Sequence, residues 1–428
     1  MTQTNGAEPI RVLHFADAHI GMENYGKTDA ETGLSTRVRD FLRRMDEMID
    51  YARENDVDLT IFAGDAFKTR TPNPTFQREF AWRVRDLTAL APLVMLVGNH
   101  DLPPTVLKAS SIEIYDTLSV PNVWVAAEFE VRVVETKRGN VVVGTAPYPI
   151  RSRILEDAST VGKTIAETDQ LLQRVLGGKI EDLAEAADQY EYPRLLTGHF
   201  TVTGATWSSE RGIMLGRDIE VPLTSVADER WDYVALGHIH KHQNLTKGRA
   251  GDPPVVYSGS LERIDFGEEA DSKGFCWVEL KRRSQDHETK WHFIPSKARP
   301  FITLEADLRQ SANPTQEAVE LVEAHHLHDA IVRVRIKLSI ESEAKFNEAF
   351  VRDALRRAGV SMIAAIQKEI EQPARARLGG SPEGMTDAQL LDRYLISKQI
   401  GDARRERLLA EAAIIFEAAA QSGQDSAT

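Results

Sequence analysis

The chain has 428 residues, too many for one ordinary hydrophobic core, so two or three domains are expected. Its single cysteine, Cys276, excludes an internal disulfide framework and a thiolate-rich zinc site, and fits a reducing cytoplasm. The net charge of -13 weighs against a protein that coats polyanions with a diffuse basic surface, so a phosphate substrate must be drawn by local charge from cations and basic clusters.

The first apolar run, Arg11-Val12-Leu13-His14-Phe15, reads as a strand that delivers Asp17 and His19 at its end. Val38, Phe41, Leu42, Met45, Ile49 and Ala52 follow at helical spacing. They predict an amphipathic helix with Arg37, Arg39, Arg43 and Arg44 mostly off the apolar stripe. A second strand, Leu59-Thr60-Ile61-Phe62, runs into Gly64-Asp65, and a helical stretch occupies residues 76–90. The third strand, at residues 93–97, runs into Gly98-Asn99-His100-Asp101. Val141-Val142-Val143 is a buried-strand pattern, and residues 165–189 read as helical with a break near Gly177-Gly178. Leu195-Leu196 leads to Gly198-His199, and Tyr233-Val234-Ala235-Leu236 to Gly237-His238-Ile239-His240. Val255-Val256-Tyr257 adds a further strand. This alternation predicts an α/β domain over residues 1–297.

A second segment reads β-α-β-α-β: a strand at 301–304, a helix at 314–325 with Pro314 at its start, a half-buried strand at 331–338, a helix at 344–358 closed by Gly359, and a strand at 362–370. Residues 371–384 are a linker rich in Pro, Gly, Ala and Arg. Thr386-Asp387-Ala388-Gln389 is a capping-box pattern opening the first of two helices, and Gly401-Asp402 separates it from the second. Such a pair cannot hold its own core, so the apolar face of Leu408, Leu409, Ile414, Ile415 and Phe416 needs a partner. No apolar run approaches the roughly 20 residues that span a bilayer, and the first nine residues lack the order of a signal peptide. The expected location is cytoplasmic, with no membrane contact.

Five strands in order, each ending in Asp, Asn or His, describe a two-metal hydrolytic site. Asp17 and His19 can face one point at a strand's carboxyl edge, where ligands of open α/β sheets gather. Asp65 offers a carboxylate able to bridge two cations, Asn99 a neutral oxygen, and His199, His238 and His240 imidazoles. A mixed oxygen and nitrogen set suits Mn, Fe, Mg or Zn, and seven ligands with one shared can hold two ions at roughly 3.5–4 Å. Gly64, Gly98, Gly198 and Gly237 precede ligand positions, where glycine permits a sharp turn and close approach to an ion. His100 reads as the catalytic group, able to stabilise phosphorane-like charge or protonate a leaving oxygen, with Asp101 orienting it. Other groups read as structural: His14 as a core histidine, His242 as exposed, His325, His326 and His328 as a solvated cluster, and Cys276 as a small buried hydrophobe.

In this order the motifs resemble the calcineurin-like metallophosphoesterase superfamily, and within it the branch of SbcD-type DNA repair nuclease subunits. Asp17-Ala18-His19-Ile20-Gly21, residues 208–212 (Ser-Ser-Glu-Arg-Gly) and residues 257–267 (Tyr-Ser-Gly-Ser-Leu-Glu-Arg-Ile-Asp-Phe-Gly) resemble stretches of that branch. The resemblance implies a β-sandwich core flanked by helices, with a small α/β capping domain at 298–370 that sets DNA access to the metals. It implies a helical segment at 385–428 that docks on an SbcC-type coiled-coil ATPase. One ion would take Asp17, His19, Asp65 and His240, and the second Asp65, Asn99, His199 and His238, with manganese the usual ion. The implied activity is exonuclease on duplex ends, with hairpin or single-strand endonuclease, in DNA repair, recombination and replication. A homodimer would form through helices at 76–90 and 106–118. Some relatives carry a second histidine where this chain has Lys68; Lys68 and Arg70 would instead contact phosphate. The alternative is a phosphoesterase for small molecules or phosphoproteins. Against it, residues 64–70 (Gly-Asp-Ala-Phe-Lys-Thr-Arg) lack the second Asp and trailing Gly of the protein-phosphatase pattern.

Overall fold

Strands buried on both faces need near-continuous apolar sequence, and the first runs of the chain supply it. In the computed structural model, which describes residues 8–103, 108–155, 163–208, 218–282, 288–371 and 385–424, they build two six-stranded sheets. In spatial order the first holds Lys290–Pro295, Gly274–Leu280, Ile10–Phe15, Leu59–Phe62, Leu93–Leu96 and Val123–Ala126. The second holds Gln243–Asn244, Val255–Tyr257, Tyr233–Gly237, Arg194–His199, Gly139–Ala146 and Glu130–Thr136. Strands Ile10–Phe15, Leu59–Phe62 and Leu93–Leu96 are parallel, and so are Arg194–His199 and Tyr233–Gly237. Their carboxyl ends therefore come out together in each sheet.

The residue parity of the strands creates the layers. Val12, Leu59, Ile61, Val94 and Leu96 face Val141, Val143, Leu195, Ala235 and Val256 in one core between the sheets. Leu13, Phe15, Phe62 and Met95 point the other way and pack on helices Thr36–Glu54 and Pro74–Thr88. On the far side, Val142, Leu196, Val234 and Leu236 pack on helix Ile165–Asp188. A helix-covered β-sandwich results.

The chain divides into two compact units, Met1–Leu304 with His325–Arg333 and Leu355–Ala365, and Glu305–Ala324 with Val334–Ala354 and Ile366–Thr428. A three-stranded sheet, Phe301–Asp307, Ile331–Leu338 and Met362–Ile370 with Ile331–Leu338 central, is divided between them along its strands. In the second unit Ala318, Val322, Val334, Ile336, Leu338, Val351 and Ala354 are buried. Its terminal helices, Asp387–Ser397 and Asp402–Gln424, leave Leu408, Ile414 and Ile415 exposed. Among the described residues no helix is long and apolar enough to cross a membrane.

Several sequence expectations need correction. Helix Ile165–Asp188 runs through Gly177-Gly178 without a break. Leu172, Leu176, Ile180 and Leu183 bury one continuous face on both sides of the pair, which outweighs the roughly 1 kcal/mol that each glycine costs. Gly177 also packs closely, because a Cβ there would lie 3.2 Å from Ser225 Oγ. The helix expected at 344–358 begins later, as Glu348–Arg357, after a separate turn at Ile340–Glu343. Of the helix expected at 106–118, only Ile114–Thr117 is helical among the described residues, and 106–107 lie outside them. Residues 209–212 and 372–384 also lie outside the described residues. Arg37, expected with its neighbours mostly off the apolar stripe, is buried: its guanidinium bonds Asp40 at 2.8 Å and lies 5.3 Å from the ring centres of Phe41 and Phe301. His242 is half-buried and stacked on Phe293 at 3.9 Å, with Nδ1 bonded to the Tyr257 carbonyl. His14 is satisfied in the core, between the Tyr233 hydroxyl and the Leu236 carbonyl. Cys276 is buried, and His325, His326 and His328 are exposed.

Candidate metal centre

The strand ends of both sheets converge on one buried cluster. Asp17, His19, Asp65, His199, His238 and His240 are all buried, while Asn99 and His100 are half-buried. Asp17, His19, Asp65 and His238 have φ of 52, 41, 65 and 93°, left-handed values that side chains other than glycine adopt at a cost. Hydrogen bonds hold that backbone in place. Asp17 N–H donates to the Gly64 carbonyl, His19 N–H to the Asp65 carbonyl, and His238 N–H to both oxygens of Asp17 at 3.1 Å.

The donor atoms form two groups. In the first, His19 Nε2 lies 3.0 Å from His240 Nε2, 4.0 Å from Asp17 Oδ1 and 3.8 Å from Asp65 Oδ2. In the second, His199 Nε2 lies 3.4 Å from Asp65 Oδ2 and 3.0 Å from Asn99 Oδ1, which is also 3.0 Å from His238 Nδ1. Asp65 Oδ2 belongs to both.

The outward bonds decide what those atoms offer. A carboxylate or carbonyl only accepts, so the ring nitrogen facing it carries the hydrogen. Glu268 accepts from His240 Nδ1, Asp218 from His238 Nε2, and the Ala63 carbonyl from His199 Nδ1. In its neutral form each ring is thereby left with a bare nitrogen aimed at the cluster. On neutral His238 and His199 that nitrogen faces Asn99 Oδ1 at 3.0 Å, and such facing lone pairs, beside two buried carboxylates, repel unless a positive charge lies among them. A divalent cation in each group fits this donor set of oxygens and imidazoles, which contains no thiolate.

The protonation equilibria point the same way. Burial would push the Asp65 carboxyl up, but His199 and His100 beside it hold it well below the usual carboxylate range. Burial opposes charge on His199, yet Asp65 and Asp17 raise it to about 9. Burial and the neighbouring His240 keep His19 well below the usual imidazole value.

His100 lies at the rim, its ring centre 4.9 Å from that of His19 and its Nδ1 2.8 Å from the Lys68 carbonyl. Asp101 does not orient it, contrary to the sequence expectation. The Asp101 carboxylate is buried and accepts hydrogen bonds from the backbone N–H groups of Asp65, Ala66 and Gly98 and from the Ser111 hydroxyl. Adjacent residues in this tight loop point apart, so Asp101 fastens the loop that carries Asp65. The glycines are also tightly packed. Among the four, Gly64 has a positive φ, of 98°. A Cβ on Gly98 would lie 2.2 Å from Asp65 Oδ1, and one on Gly237 2.2 Å from the Ala63 carbonyl oxygen. A side chain at either position would collide with neighbouring protein atoms.

Three groups in the cluster carry no sequence signal that singles them out. Asp218 stands between Arg217 and Ile219 outside any motif, Glu268 follows directly after the 257–267 stretch, and Lys273 lies five residues further on. Tyr148 and Trp207 also flank His238, with ring centres 5.7 and 5.9 Å from it.

The calcineurin-like phosphoesterase family model matches residues 10–242. The SbcD component of the SbcCD nuclease of Bacillus subtilis is 25% identical over 79% of this chain and 83% of its own length. The protein of the same name from Escherichia coli is 28% identical over 62% of this chain and 63% of its own. Among solved structures, a dimetal phosphatase from Danio rerio aligns with 66% of this chain and 98% of its own, at 12% identity and a TM-score of 0.38.

Proposed function

The chain belongs to the calcineurin-like phosphoesterase family, and on that premise we propose that it is a two-metal DNA nuclease, the catalytic subunit of a double-strand-break repair complex with an SbcC-type ATPase. The observation that carries the reading is Asp65 Oδ2, within 3.8 Å of His19 Nε2 and 3.4 Å of His199 Nε2, where one carboxylate oxygen serves both donor groups. One cation would be held by Asp17, His19, Asp65 and His240, the other by Asp65, Asn99, His199 and His238, and manganese is the proposed ion. When bound, such cations supply Lewis acidity at phosphate oxygens and acidify a water.

The chain's own groups do the rest. Asp101 and Gly98 fix the Asp65 loop, and Asp17 fixes His238 through its backbone N–H. With Nδ1–H held by the Lys68 carbonyl, it is the protonated form of His100 that offers an Nε2–H, able to stabilise charge on phosphate and to pass a proton to the leaving oxygen. Half-buried Lys68 and exposed Arg70 add local positive charge for a polyanion to a chain of net charge -13.

DNA as substrate is supported by the names of the relatives, which are components of nucleases. Residues 298–370 are proposed to control access of DNA. The exposed Leu408, Ile414 and Ile415 support docking of 385–428 on the ATPase coiled coil. Exposed Trp82 and Leu118 support a homodimer through 76–90 and 106–118. The single cysteine supports a cytoplasmic location. The test is digestion of end-labelled linear and hairpin duplexes with Mn or Mg, with and without the ATPase and ATP. Manganese-dependent cleavage at ends or hairpin tips is expected. Hydrolysis of a small phosphate ester with no cleavage of either DNA would overturn the reading in favour of a small-molecule or phosphoprotein enzyme.

A further inference from the structure

His238 and His240 lie two residues apart on one strand end, yet they present different nitrogens to different donor groups. His238 turns Nδ1 toward Asn99, and His240 turns Nε2 toward His19. The opposite nitrogen of each ring meets a carboxylate that comes from outside the five strand-end motifs. Asp218 Oδ2 lies 2.9 Å from His238 Nε2, and Glu268 Oε1 lies 2.8 Å from His240 Nδ1. We infer that Asp218 and Glu268 are positioning residues that lock the two imidazoles in opposite tautomers and so divide the pair between two cations.

Both carboxylates are held in place by bonds of their own. Asp218 also accepts from the Thr201 hydroxyl and from the Ile219 N–H at 3.1 Å. Glu268 is fully buried and accepts from Ile264 N–H at 2.8 Å and Lys273 Nζ at 2.9 Å. Lys273, itself buried, also donates to the His240 carbonyl at 3.0 Å, so His240 is gripped by ring and backbone together. A buried lysine–glutamate pair contributes little to stability alone, since desolvation offsets most of its attraction. Its placement makes sense as a device that keeps one acceptor in front of one ring nitrogen.

Either nitrogen of a free imidazole can carry the hydrogen, and an N–H aimed at a cation cannot ligate it. Outer carboxylates remove that ambiguity, and their loss typically lowers metal affinity about 10–100-fold. Because the two carboxylates act on different rings, each loss should weaken a different one of the two binding events.

This inference rests on the two-metal reading, and manganese titration of the full chain, followed by the spin-resonance signal of free Mn2+, tests the two separately. Two binding events in the unsubstituted chain are required by that reading, and fewer would refute it there. Given two, Asp218→Ala and Glu268→Ala should each weaken one event about 10–100-fold and leave the other near its original affinity. The double variant should lose both tight events. Unchanged affinities in the single variants, or one tight event surviving in the double variant, would overturn the inference. Circular dichroism checks folding. Asp218→Asn and Glu268→Gln, which keep an acceptor oxygen, should restore part of the lost affinity. If an alanine variant does not fold, these decide the matter by a smaller loss confined to one event, and unchanged affinity in both events refutes the assignment.

Discussion

Replacing Asp101 by alanine separates two accounts of the loop at residues 98–101, one in which Asp101 serves His100 and one in which it serves Asp65. The carboxylate accepts from Asp65 N–H at 2.8 Å, Ala66 N–H at 3.0 Å, Gly98 N–H at 3.0 Å and the Ser111 hydroxyl at 3.1 Å. Each backbone donor left unsatisfied in a buried site costs about 1–3 kcal/mol. Against that stands the release of a carboxyl that burial and then Asp65 push up to about 6, and some water can enter the space left behind. The net loss should be about 3–5 kcal/mol, at the upper end of single substitutions. Urea unfolding, monitored by tryptophan fluorescence, measures it as a drop in midpoint. Because Asp65 is common to both donor groups, both manganese affinities should fall together. His100 keeps its bond to the Lys68 carbonyl, so the pH–rate profile should be lower but unchanged in shape. A variant of full stability and normal metal affinity that loses one limb of the pH profile would refute this reasoning and return Asp101 to a catalytic role.

Four further outcomes are expected. His100→Asn should bind metal normally yet lose most hydrolysis, about 100-fold or more for a lost acid–base group; full manganese-dependent DNA cleavage would remove His100 from the mechanism. Gly98→Ala forces a Cβ to 2.2 Å from Asp65 Oδ1, so it should cost about 1–3 kcal/mol of stability and weaken both manganese events; normal binding would show that Asp65 can move aside. His199, which against burial is raised by Asp65 to about 9 from 6.5, should carry a proton at pH 8 when no cation is bound, a contribution to stability that is full below 6.5 and lost as pH rises through 9. A cation must displace that proton, so manganese affinity should rise with pH up to about 9, and calorimetry in two buffers near pH 8 should detect about one proton released; none released contradicts the assignment. Deleting residues 385–428 should spare basal cleavage of a small phosphodiester and abolish association with the ATPase, which unchanged co-purification would disprove.

The parts of this molecule legible in the sequence are those where structure and chemistry are contiguous. A strand buried on both faces is a short apolar run, and its end is marked by the next few residues. Leu59–Phe62 followed by Gly64-Asp65, and Tyr233–Gly237 followed by His238 and His240, therefore announce both position and chemistry. The β-α-β-α-β segment is readable for the same reason, since alternation in Ile331–Leu338 and the proline in the first helical turn, Pro314, are local signals. Helix ends are less legible. Residues 165–188 contain two glycines that locally favour a break, and only the buried stripe from Leu172 to Leu183, a tertiary fact, keeps the helix whole.

What sequence could not supply is the direction in which a side chain points once the chain leaves regular structure. In a strand, alternation fixes the face; in a loop with residues at positive φ, neighbours diverge without a period. Asp101 follows His100 directly and faces the opposite way, toward the backbone of Asp65 and Ala66. Conversely, the carboxylates that reach His238 and His240 arrive from 20 and 28 residues away, through segments with no repeating pattern. The donor residues are written in the sequence because each sits at a strand end. The carboxylates in front of His238 and His240 come from distant segments, so on the proposed two-metal reading the division of that pair between the cations would be a property of the folded chain.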